Sequence, residues 1–430
     1  MPYILLSDIK PYLGKEVLLK AWVFNARSSG SLFFLQLRDG TGEIQAIVSK
    51  KEVSPDVFEN CKKLQIESSV EVSGLLKEEA KSPSGYEIQV KDLKIIQIAE
   101  DYPIAKKEHG PDFLMDNRHL WLRSSRQRAI LKIRDSVIWA ARKFFHENNF
   151  TLTDSPILTP TSCEGTTTLF KTKYFEEDAY LAQSGQLYIE ATAAALGRVY
   201  DFGPTFRAEK SKTRRHLMEF WMLDAEAAFV EHEENLKIQE NLISYIFKYV
   251  LENNKKELQV LEKDIKPLEK IKAPFYRKTY EEVIKDLQGK GSAIKIGDDF
   301  GGDEETLISK DLDKPVFVTH WPKEIKPFYM KQDPLNSKLV LNADCIAPEG
   351  FGEIIGGSQR EDDYEILKAN MEKAKIPIKD YQWYLDLRKY GTFPHSGFGL
   401  GIERTVAWIC GLKHIRETIP FPRMLNRLRP

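Results

Sequence analysis

The 430-residue sequence lacks several features that readily place a protein in a functional class. Its four cysteines, Cys61, Cys163, Cys345 and Cys410, are far apart and form no pairs at metal-binding spacing. Isolated cysteines of this kind are typical of reduced thiols in a cytosolic protein. No apolar run approaches the roughly 18 residues of a membrane span, and charged residues interrupt the short apolar patch at the N-terminus. We therefore expect a cytoplasmic protein without a membrane segment or a signal peptide.

Common nucleotide-binding fingerprints are absent as well. The sequence contains no G-x-x-x-x-G-K-[ST] P-loop. The segment "GFGLGIERTVAWICG" (397–411) is only superficially like a dinucleotide fingerprint, because its glycines follow G-x-G-x-G spacing and no parallel core strand precedes them. No internal repeat is visible. Any nucleotide site in this chain therefore requires a different architecture.

An excess of charge of one sign is also absent, since the formal net charge is −1. Any contact with a polyanion must therefore depend on a local patch. One such patch is "FRAEKSKTRRHLMEF" (206–220), which places five permanent cations and a histidine between two phenylalanines. Taken alone, the pattern fits either a phosphate-binding loop or a solvated hairpin loop.

The first hundred residues predict a small β-barrel or sandwich. Short alternating apolar runs are separated by Gly, Ser, Asp and Asn, and "RDGTGE" (38–43) is a hairpin signal. Residues 101–120 contain two prolines and no clear period, which predicts a hinge.

Helices are predicted in the remainder of the chain. Residues 124–150 form an amphipathic pattern whose apolar face is Ile130, Ile133, Val137, Ala141, Phe144 and Phe145. A strand broken by prolines follows, and residues 236–254 predict a second amphipathic helix. Residues 255–315 are rich in Lys and Glu, and we expect an insertion there, with residues 289–305 at the surface.

Three ordered segments resemble the signatures of class II aminoacyl-tRNA synthetases. The long helix and its strand are similar to the first signature. "GPTFRAEKSKTRRHLMEFWMLDAE" (203–226) resembles the second, a strand–loop–strand around F-R-x-E, and "GFGLGIERTVAWI" (397–409) resembles the third. "WVFNARSSGSLFFLQLRDGTGEIQ" (22–45) resembles the anticodon-binding OB-fold of the aspartyl, asparaginyl and lysyl subgroup. The resemblance covers nearly the whole chain except residues 255–315.

Within this subgroup the chain resembles the asparaginyl-tRNA synthetases. The similar segments include "THWPKEIKPFYM" (319–330), "GEIIGGSQRE" (352–361) and "WYLDLRKYG" (383–391). In the aspartyl enzymes a lysine follows the aromatic residue of the S-x-Q-L-[YF] element and binds the substrate carboxylate. Here Tyr188 is followed by Ile189 and Glu190.

The resemblance implies an α+β fold. An N-terminal OB-fold barrel for the anticodon would occupy residues 1–100, a hinge 101–120, and a class II catalytic domain 121–430, with an antiparallel sheet flanked by helices. It also implies an asparagine–tRNA ligase that activates L-asparagine with ATP as asparaginyl-adenylate and transfers it to tRNA(Asn). Mg²⁺ would accompany ATP, and the chain would form a homodimer through the first-signature helix.

For ATP, the resemblance implies two catalytic cations. Arg207 would contact the α-phosphate and the attacking carboxylate, and Arg404 would contact the γ-phosphate, because a guanidinium fork suits both. A salt bridge to Glu403 or another acid is the alternative for Arg404. The other implied ATP-binding residues are Glu209 and Phe220 at adenine, Arg215 and His216 at the β- and γ-phosphates, His395 on the phosphate side, and Gly399 and Gly401 where the backbone approaches the nucleotide.

Two carboxylates are the implied Mg²⁺ ligands. Glu353 matches the family position that binds the metal, and Asp344, nine residues earlier, would be the second ligand. Oxygen ligands suit Mg²⁺, which usually keeps several waters and bridges phosphates. The alternative for each acid is ordinary surface charge.

For the amino acid, the resemblance implies one acceptor and one donor. Glu190 would accept from the amide NH₂ of asparagine and repel a carboxylate, while Arg388 would donate to the amide oxygen. A like-charged buried group can discriminate by roughly 10⁴ or more. Glu164 and Gln186 match positions that hold the α-ammonium group.

For tRNA, the implied anticodon-binding residues are Arg27, Phe34 and Gln45. They would read the central anticodon base by stacking and by a side-chain amide. Phe33 and Phe34 alternate along a strand, so one should be core and the other exposed; core packing is the alternative for Phe34.

Three other functions remain open from the sequence. An aspartyl-tRNA synthetase, whether specific for one tRNA or non-discriminating, conflicts with Ile189 and Glu190. An asparagine synthetase paralogue would lack the anticodon barrel. A non-catalytic tRNA-binding module should have lost one or more of Arg207, Glu353 and Arg404, and all three are present.

Overall fold

The structure is a computed structural model that describes residues 2–82, 84–104, 107–163, 168–211 and 213–429. The chain divides into two units, Met1–His109 and Gly110–Pro430. The predicted hinge therefore contains the division between the units. Its second half is helical, because Pro111 occupies the first helical position of a short helix, where a missing N–H costs nothing.

A closed five-stranded barrel forms the first unit, as the alternating runs predict. The strands follow the order β1-β2-β3-β5-β4 around the barrel. Inward residues such as Val17, Leu19 and Val23 are fully buried, while their neighbours along the strand face outward. The elements are β1 (Glu16–Ser29), β2 (Leu32–Arg38), β3 (Glu43–Ser49), α1 (Pro55–Lys63), β4 (Ser69–Glu78) and β5 (Tyr86–Gln97). The predicted OB-fold is confirmed.

A large, mainly antiparallel sheet organises the second unit. Its strand order is β13-β14-β16-β17-β18-β12-β10-β6, with β11 paired to β12 and β15 to β16. Within this sheet, the described parallel pairs are β13 with β14 and β10 with β6. The strands are β6 (Thr151–Leu152), β7 (Leu158–Thr159), β8 (Lys171–Tyr174), β9 (Glu177–Leu181), β10 (Arg198–Tyr200), β11 (Gly203–Phe206), β12 (Glu219–Ala228), β13 (Tyr276–Thr279), β14 (Val316–Pro322), β15 (Gln332–Asp333), β16 (Asn336–Ala347), β17 (Gly352–Gln359) and β18 (His395–Gly401).

Helices cover this sheet and supply most of its core. The long helices α4 and α6 and the third-signature helix α13 pack together against the sheet in one apolar cluster. The helices are α2 (Pro111–Asp116), α3 (Arg118–Trp121), α4 (Ser125–Glu147), α5 (Gln186–Leu196), α6 (His232–Asn253), α7 (Lys255–Val260), α8 (Lys266–Glu269), α9 (Tyr280–Gly289), α10 (Gly302–Ser309), α11 (Tyr364–Lys373), α12 (Ile378–Lys389) and α13 (Ile402–Cys410). The α+β class and both predicted long helices are confirmed.

Residues 255–315 are integral to the second unit. They supply the edge strand β13, which pairs with β14, and the helix α9, whose apolar face is buried. Within 289–305, Phe300 is half-buried and packs on Tyr280 and Trp321 at centroid distances of 5.6 and 4.5 Å. Although Lys and Glu dominate the composition of residues 255–315, their apolar residues are spaced to contact the sheet, while most of residues 289–305 are exposed.

In the described part of the chain, no helix has the length and apolar character needed to cross a membrane.

Candidate active site

The middle of the large sheet is formed by β12, β18 and β17, which lie side by side. Gly399 of β18 lies between Asp224 of β12 and Gly356 of β17. A Cβ at Gly399 would lie 2.3 Å from Met222 Cε and 2.5 Å from Asp224 Oδ1, so a larger residue there would have to displace both side chains. A Cβ at Gly401 would make only ordinary van der Waals contacts, 3.8 Å from the Ile354 carbonyl oxygen and 3.9 Å from Arg404 Cβ.

The second signature forms the strand–loop–strand that the sequence predicts. β11 and β12 pair with Phe206 opposite Glu219, and the Arg207 amide donates to the Met218 carbonyl at 3.0 Å. Arg207, Glu209, His216 and Phe220 are all half-buried around this hairpin. Burial, together with the positive charge of Arg404, lowers the pKa of His216.

Arg215 is bound to protein groups on both of its terminal nitrogens. Nη1 donates to Glu305 at 2.9 Å and to the Gly302 carbonyl at 3.1 Å. Nη2 donates to Thr306 Oγ1 at 2.7 Å and to the Gly350 carbonyl. These contacts join the second-signature loop to α10, which sequence reasoning did not assign to the site.

Arg404, in the first turn of α13, contacts the predicted metal ligand. Its Nη1 donates to the Glu353 carbonyl at 2.7 Å and lies 3.4 Å from the Glu353 carboxylate. Glu403 instead lies 2.7 Å from Arg134 and accepts from the Trp221 amide at 3.0 Å. Of the two alternatives for Arg404, the structure has the salt bridge to another acid, Glu353, and not the one to Glu403, because adjacent helical residues point in different directions.

The two predicted metal ligands face a common space. A Cβ at Gly356 would lie 3.0 Å from Glu353 Oε1 and 3.9 Å from Asp344 Oδ1, so both carboxylates extend over this glycine. The other oxygen of Asp344 accepts from Lys326 Nζ at 2.6 Å. Burial raises the pKa of Asp344 to about 7, with Lys326 opposing the shift. The described residues contain no group of three or more His, Cys, Asp or Glu that could hold a metal alone.

Glu190 is the centre of a second, buried cluster. Its Oε1 accepts from Tyr384 at 2.8 Å and from Gln186 at 3.2 Å. Its Oε2 accepts from Arg388 at 2.7 Å, and His395 Nε2 is 3.1 Å away. The side chains of Glu190 and Arg388 have no exposed surface.

His395 lies in this cluster and not on the phosphate side, where the family resemblance placed it. Its Nδ1 faces the Phe393 carbonyl at 2.9 Å, so both ring nitrogens face acceptor oxygens. The correction has a simple cause: His395 is the first residue of β18, whereas Arg404 follows the other end of that strand.

Tyr384 is a site residue that sequence reasoning missed. It lies four residues before Arg388 on α12, on the same helical face, and its hydroxyl contacts both Glu190 and Arg388. The i, i+4 spacing of Tyr384 and Arg388, like that of Gln186 and Glu190, was the available signal.

The electrostatics of the cluster favour an ionised Glu190. Its partner Arg388 has one nitrogen without an acceptor among the described residues. Burial alone would raise the pKa of Glu190, but Arg388 and His395 outweigh it and hold the pKa well below its usual range. Arg388 also donates through Nε to the Glu361 carbonyl at 2.8 Å. In the described residues its Nη1 is buried and has no hydrogen-bond partner. Glu164, predicted to hold the α-ammonium group, lies outside the described residues.

The three predicted anticodon residues lie on one outer face of the barrel. Arg27 of β1 pairs with Phe34 of β2, and Gln45 of β3 pairs with Gln36, two residues along β2 from Phe34. Phe33, on the opposite face, is buried and packs on Phe58 at 5.0 Å. Phe34 is half-buried, so the core-packing alternative applies to its neighbour instead.

Family comparisons match both units. The family of tRNA synthetases class II (D, K and N) matches residues 110–425. The family of OB-fold nucleic acid binding domains matches residues 17–96.

Individual relatives match the chain over nearly its whole length. It is 55% identical to an asparagine–tRNA ligase of Desulforamulus reducens over 99% of each chain, and 55% identical to one of Pelotomaculum thermopropionicum over 100% of each. Among solved structures it is similar to the asparaginyl-tRNA synthetase of Pyrococcus horikoshii complexed with asparaginyl-adenylate, with 46% identity, a TM-score of 0.96 and 99% of each chain covered.

Proposed function

Because the chain belongs to the class II tRNA synthetases for aspartate, lysine and asparagine, and among them to the asparaginyl-tRNA synthetases, it is an asparagine–tRNA ligase, and we propose how its residues divide the work. ATP and asparagine would first form asparaginyl-adenylate and pyrophosphate. The asparaginyl group would then pass to the terminal ribose of tRNA(Asn).

The observation that carries the proposal is that Arg388 Nη1, beside an ionised and buried Glu190, has no hydrogen-bond partner among the residues that the structure describes. A buried donor without a partner costs about 1–3 kcal/mol, which a substrate carbonyl would recover. We propose that this donor binds the amide oxygen of asparagine. An aspartate carboxylate in the same place would lie beside the Glu190 carboxylate, and the repulsion would oppose its binding.

The amide NH₂ group of asparagine would need an acceptor on Glu190. Oε1 accepts from Gln186 over 3.2 Å, the longest of the contacts to Glu190. We propose that Gln186 leaves Oε1 when substrate arrives, turns to the α-ammonium group, and is replaced by the substrate NH₂. Tyr384 and His395 would stay on Glu190 and keep its carboxylate in place.

The adenylate step joins two anions, so the surrounding cations must offset the charge that develops. We propose that Arg207 contacts the α-phosphate and the attacking carboxylate, with Phe220 and Glu209 on the adenine ring. Arg404 would move from Glu353 to the γ-phosphate. Arg215 and His216 would complete the β- and γ-phosphate site, provided that Arg215 exchanges at least one of its protein acceptors for phosphate.

We also propose that Asp344 and Glu353 hold the Mg²⁺ that accompanies ATP. Their carboxylates extend over Gly356 into one space, and oxygen donors are the ligands that Mg²⁺ prefers. Two carboxylates suffice because phosphates and water complete the shell of a nucleotide-bound Mg²⁺. Bound there, the metal would neutralise phosphate charge.

The anticodon face is the proposed contact with tRNA(Asn) that specifies the nucleic acid. Phe34 presents an aromatic surface, Gln45 lies on the same face, and the exposed Arg27 adds positive charge beside them. An unstacked base could therefore stack on Phe34 while an amide reads its edge.

We propose a homodimer formed through α4. Trp139 on this helix is 58% exposed, and Leu152 and Ile157, which follow it along the chain, are also exposed. Exposed apolar groups of this size on one signature are typical of a protein interface. Trp139→Glu should shift the mass measured by light scattering from two chains to one, whereas Phe229→Glu, at an aromatic residue that is 77% exposed, should not. The proposed location of the enzyme is the cytoplasm.

The rival functions make different predictions for one assay. ATP–pyrophosphate exchange measured with asparagine and with aspartate should proceed with asparagine only. Equal exchange with both amino acids would indicate a non-discriminating aspartyl enzyme. Conversion of aspartate to free asparagine would indicate a synthetase paralogue, although the closed barrel of the first unit already argues against it.

A further inference from the structure

Each of the two proposed metal ligands already has a cationic partner. Lys326 Nζ lies 2.6 Å from Asp344 Oδ2, and Arg404 Nη1 lies 3.4 Å from Glu353 Oε2. When Asp344 and Glu353 are both ionised, the four side chains carry two negative and two positive charges, so their sum is zero. The arrangement leaves Asp344 Oδ1 and Glu353 Oε1 facing the space over Gly356.

Lys326 is held more firmly than an ordinary surface lysine. Its ammonium group lies 3.6 Å from the centre of the Trp321 ring, a cation–π contact with a side chain that is 1% exposed. The side chains of Lys326 and Asp344 are only 12% and 13% exposed, so water screens the pair weakly. The positive charge is therefore fixed beside Asp344.

We infer that Lys326 is a positioning residue that balances the charge of Asp344 and Glu353 before nucleotide binds. The inference rests on the proposed metal site. Without nucleotide, the charges of both carboxylates are already balanced by Lys326 and Arg404. The ammonium group of Lys326 also repels an approaching divalent cation. Lys326 also holds Oδ2 of Asp344 and so keeps Oδ1 directed toward Glu353.

Arrival of ATP changes this balance. The phosphates bring negative charge, and Arg404 can exchange Glu353 for phosphate while Lys326 stays on Asp344. The site then becomes attractive to a divalent cation. The consequence is that Mg²⁺ binds together with ATP and hardly at all to the free enzyme.

The test measures binding of Mn²⁺, a paramagnetic substitute for Mg²⁺, to the full-length enzyme by electron paramagnetic resonance. The wild type should bind Mn²⁺ weakly alone and far more tightly with a non-hydrolysable ATP analogue. At a pH high enough to ionise Asp344 in both proteins, Lys326→Met should bind Mn²⁺ about tenfold more tightly than wild type in the absence of nucleotide, because one fixed positive charge is gone. Lys326→Arg keeps the charge and should bind as weakly as wild type.

Lys263→Met is the matched control. The side chain of Lys263 is about as buried as that of Lys326, with 11% exposed. It too lies near an acid, Glu349, and an aromatic ring, Phe351. Its substitution should leave Mn²⁺ binding unchanged. Equal Mn²⁺ affinity in Lys326→Met and wild type, with both folded by circular dichroism, would overturn the inference.

The wild-type measurement tests the inference even if Lys326→Met does not fold. Nucleotide-free enzyme that binds Mn²⁺ as tightly as the nucleotide complex contradicts it. The proposed function is tested separately by asparagine-dependent exchange, so a chain without that exchange but with nucleotide-dependent Mn²⁺ binding would refute the function alone.

Discussion

Glu190 is a buried anion whose charge is retained by its neighbours. Replacing it with glutamine keeps the shape but removes the charge that we propose repels aspartate. We expect Glu190→Gln to reduce the preference for asparagine over aspartate, measured as the ratio of kcat/KM values in pyrophosphate exchange, by about a hundredfold. Unchanged selectivity would remove Glu190 from the proposed role.

A buried glutamate outside the pocket provides the control for this experiment. Glu240 is 5% exposed and accepts from the Phe275 amide at 3.1 Å, away from the substrate cluster. Glu240→Gln should lower stability without changing the asparagine to aspartate ratio. Because Glu190→Gln also leaves Arg388 without its charge partner, the thermal stability of both variants should be compared.

The raised pKa of the buried Asp201 predicts that the free energy of unfolding falls as the pH rises. Burial, with the nearby Asp224 adding to it, raises the pKa of Asp201 to about 8, whereas an unfolded aspartate has a pKa of about 3.9. The folded state therefore retains a proton that the unfolded state releases between these pH values. The stabilisation is complete below about pH 3.9 and is lost progressively as the pH rises through about 8, at no more than about 1.4 kcal/mol per pH unit.

Asp201→Asn should remove this dependence, because an amide stays neutral throughout. Thermal unfolding between pH 5 and about pH 9 should give a flatter curve for the variant, with a higher Tm than wild type at the alkaline end. The exposed Asp311→Asn serves as control and should follow the wild-type curve. Parallel curves for Asp201→Asn and wild type would show that Asp201 is ionised in the fold.

At the scale of residues, the sequence predicted the types of groups better than their partners. Glu190 and Arg388 were named from the family resemblance, and the structure brings them together. The misplacement of His395 and the omission of Tyr384 and Lys326 have one cause. Their contacts join segments far apart in the chain, and local spacing carries no record of such contacts except for the helical i, i+4 pairs.

The three signature elements are linked by one buried acid. Glu403 of α13 lies 2.7 Å from Arg134 of α4 and accepts from the Trp221 amide of β12, next to Phe220. The side chains of Glu403 and Arg134 are 1% and 9% exposed. A pair this buried fixes the position of α13 relative to the strand that carries the proposed adenine contact.

Glu403→Gln should be strongly destabilising, because it leaves the buried Arg134 cation without its carboxylate partner. We expect a loss of about 3–5 kcal/mol in unfolding free energy and a raised KM for ATP with little change in the KM for asparagine. The double variant Arg134→Met/Glu403→Gln should recover part of the stability. Thermal unfolding and ATP titration in the exchange assay measure both effects, and additive losses in the double variant would contradict the link.

At the scale of elements, the periodicity of apolar residues identified the long amphipathic helices and the alternating strands. α4 and α6 and the alternating barrel strands were predicted because one face of each is apolar. The short helices α2 and α3 and the edge strand β13 were not. They are too short to establish a period, and their stability comes from packing against parts of the chain that are distant in sequence.

Each unit of the molecule should respond separately to substitution. Phe34→Ala removes the exposed stacking surface, so the KM for tRNA(Asn) should rise about tenfold while asparagine-dependent exchange is preserved. Phe33→Ala is the matched control on the core side and should cost about 3–5 kcal/mol of stability in the first unit. Loss of both tRNA charging and exchange in Phe34→Ala would indicate a folding defect instead.

The closed barrel of the first unit completes its own hydrogen bonding around a ring, with its own apolar core. Fidelity in translation depends on two separate selections, that of the tRNA by its anticodon and that of the amino acid attached to it. In this enzyme the two selections belong to two units, each of which folds around its own apolar core. A mutation that destabilises one of the two units should therefore produce one kind of error only, either charging of the wrong tRNA or attachment of the wrong amino acid.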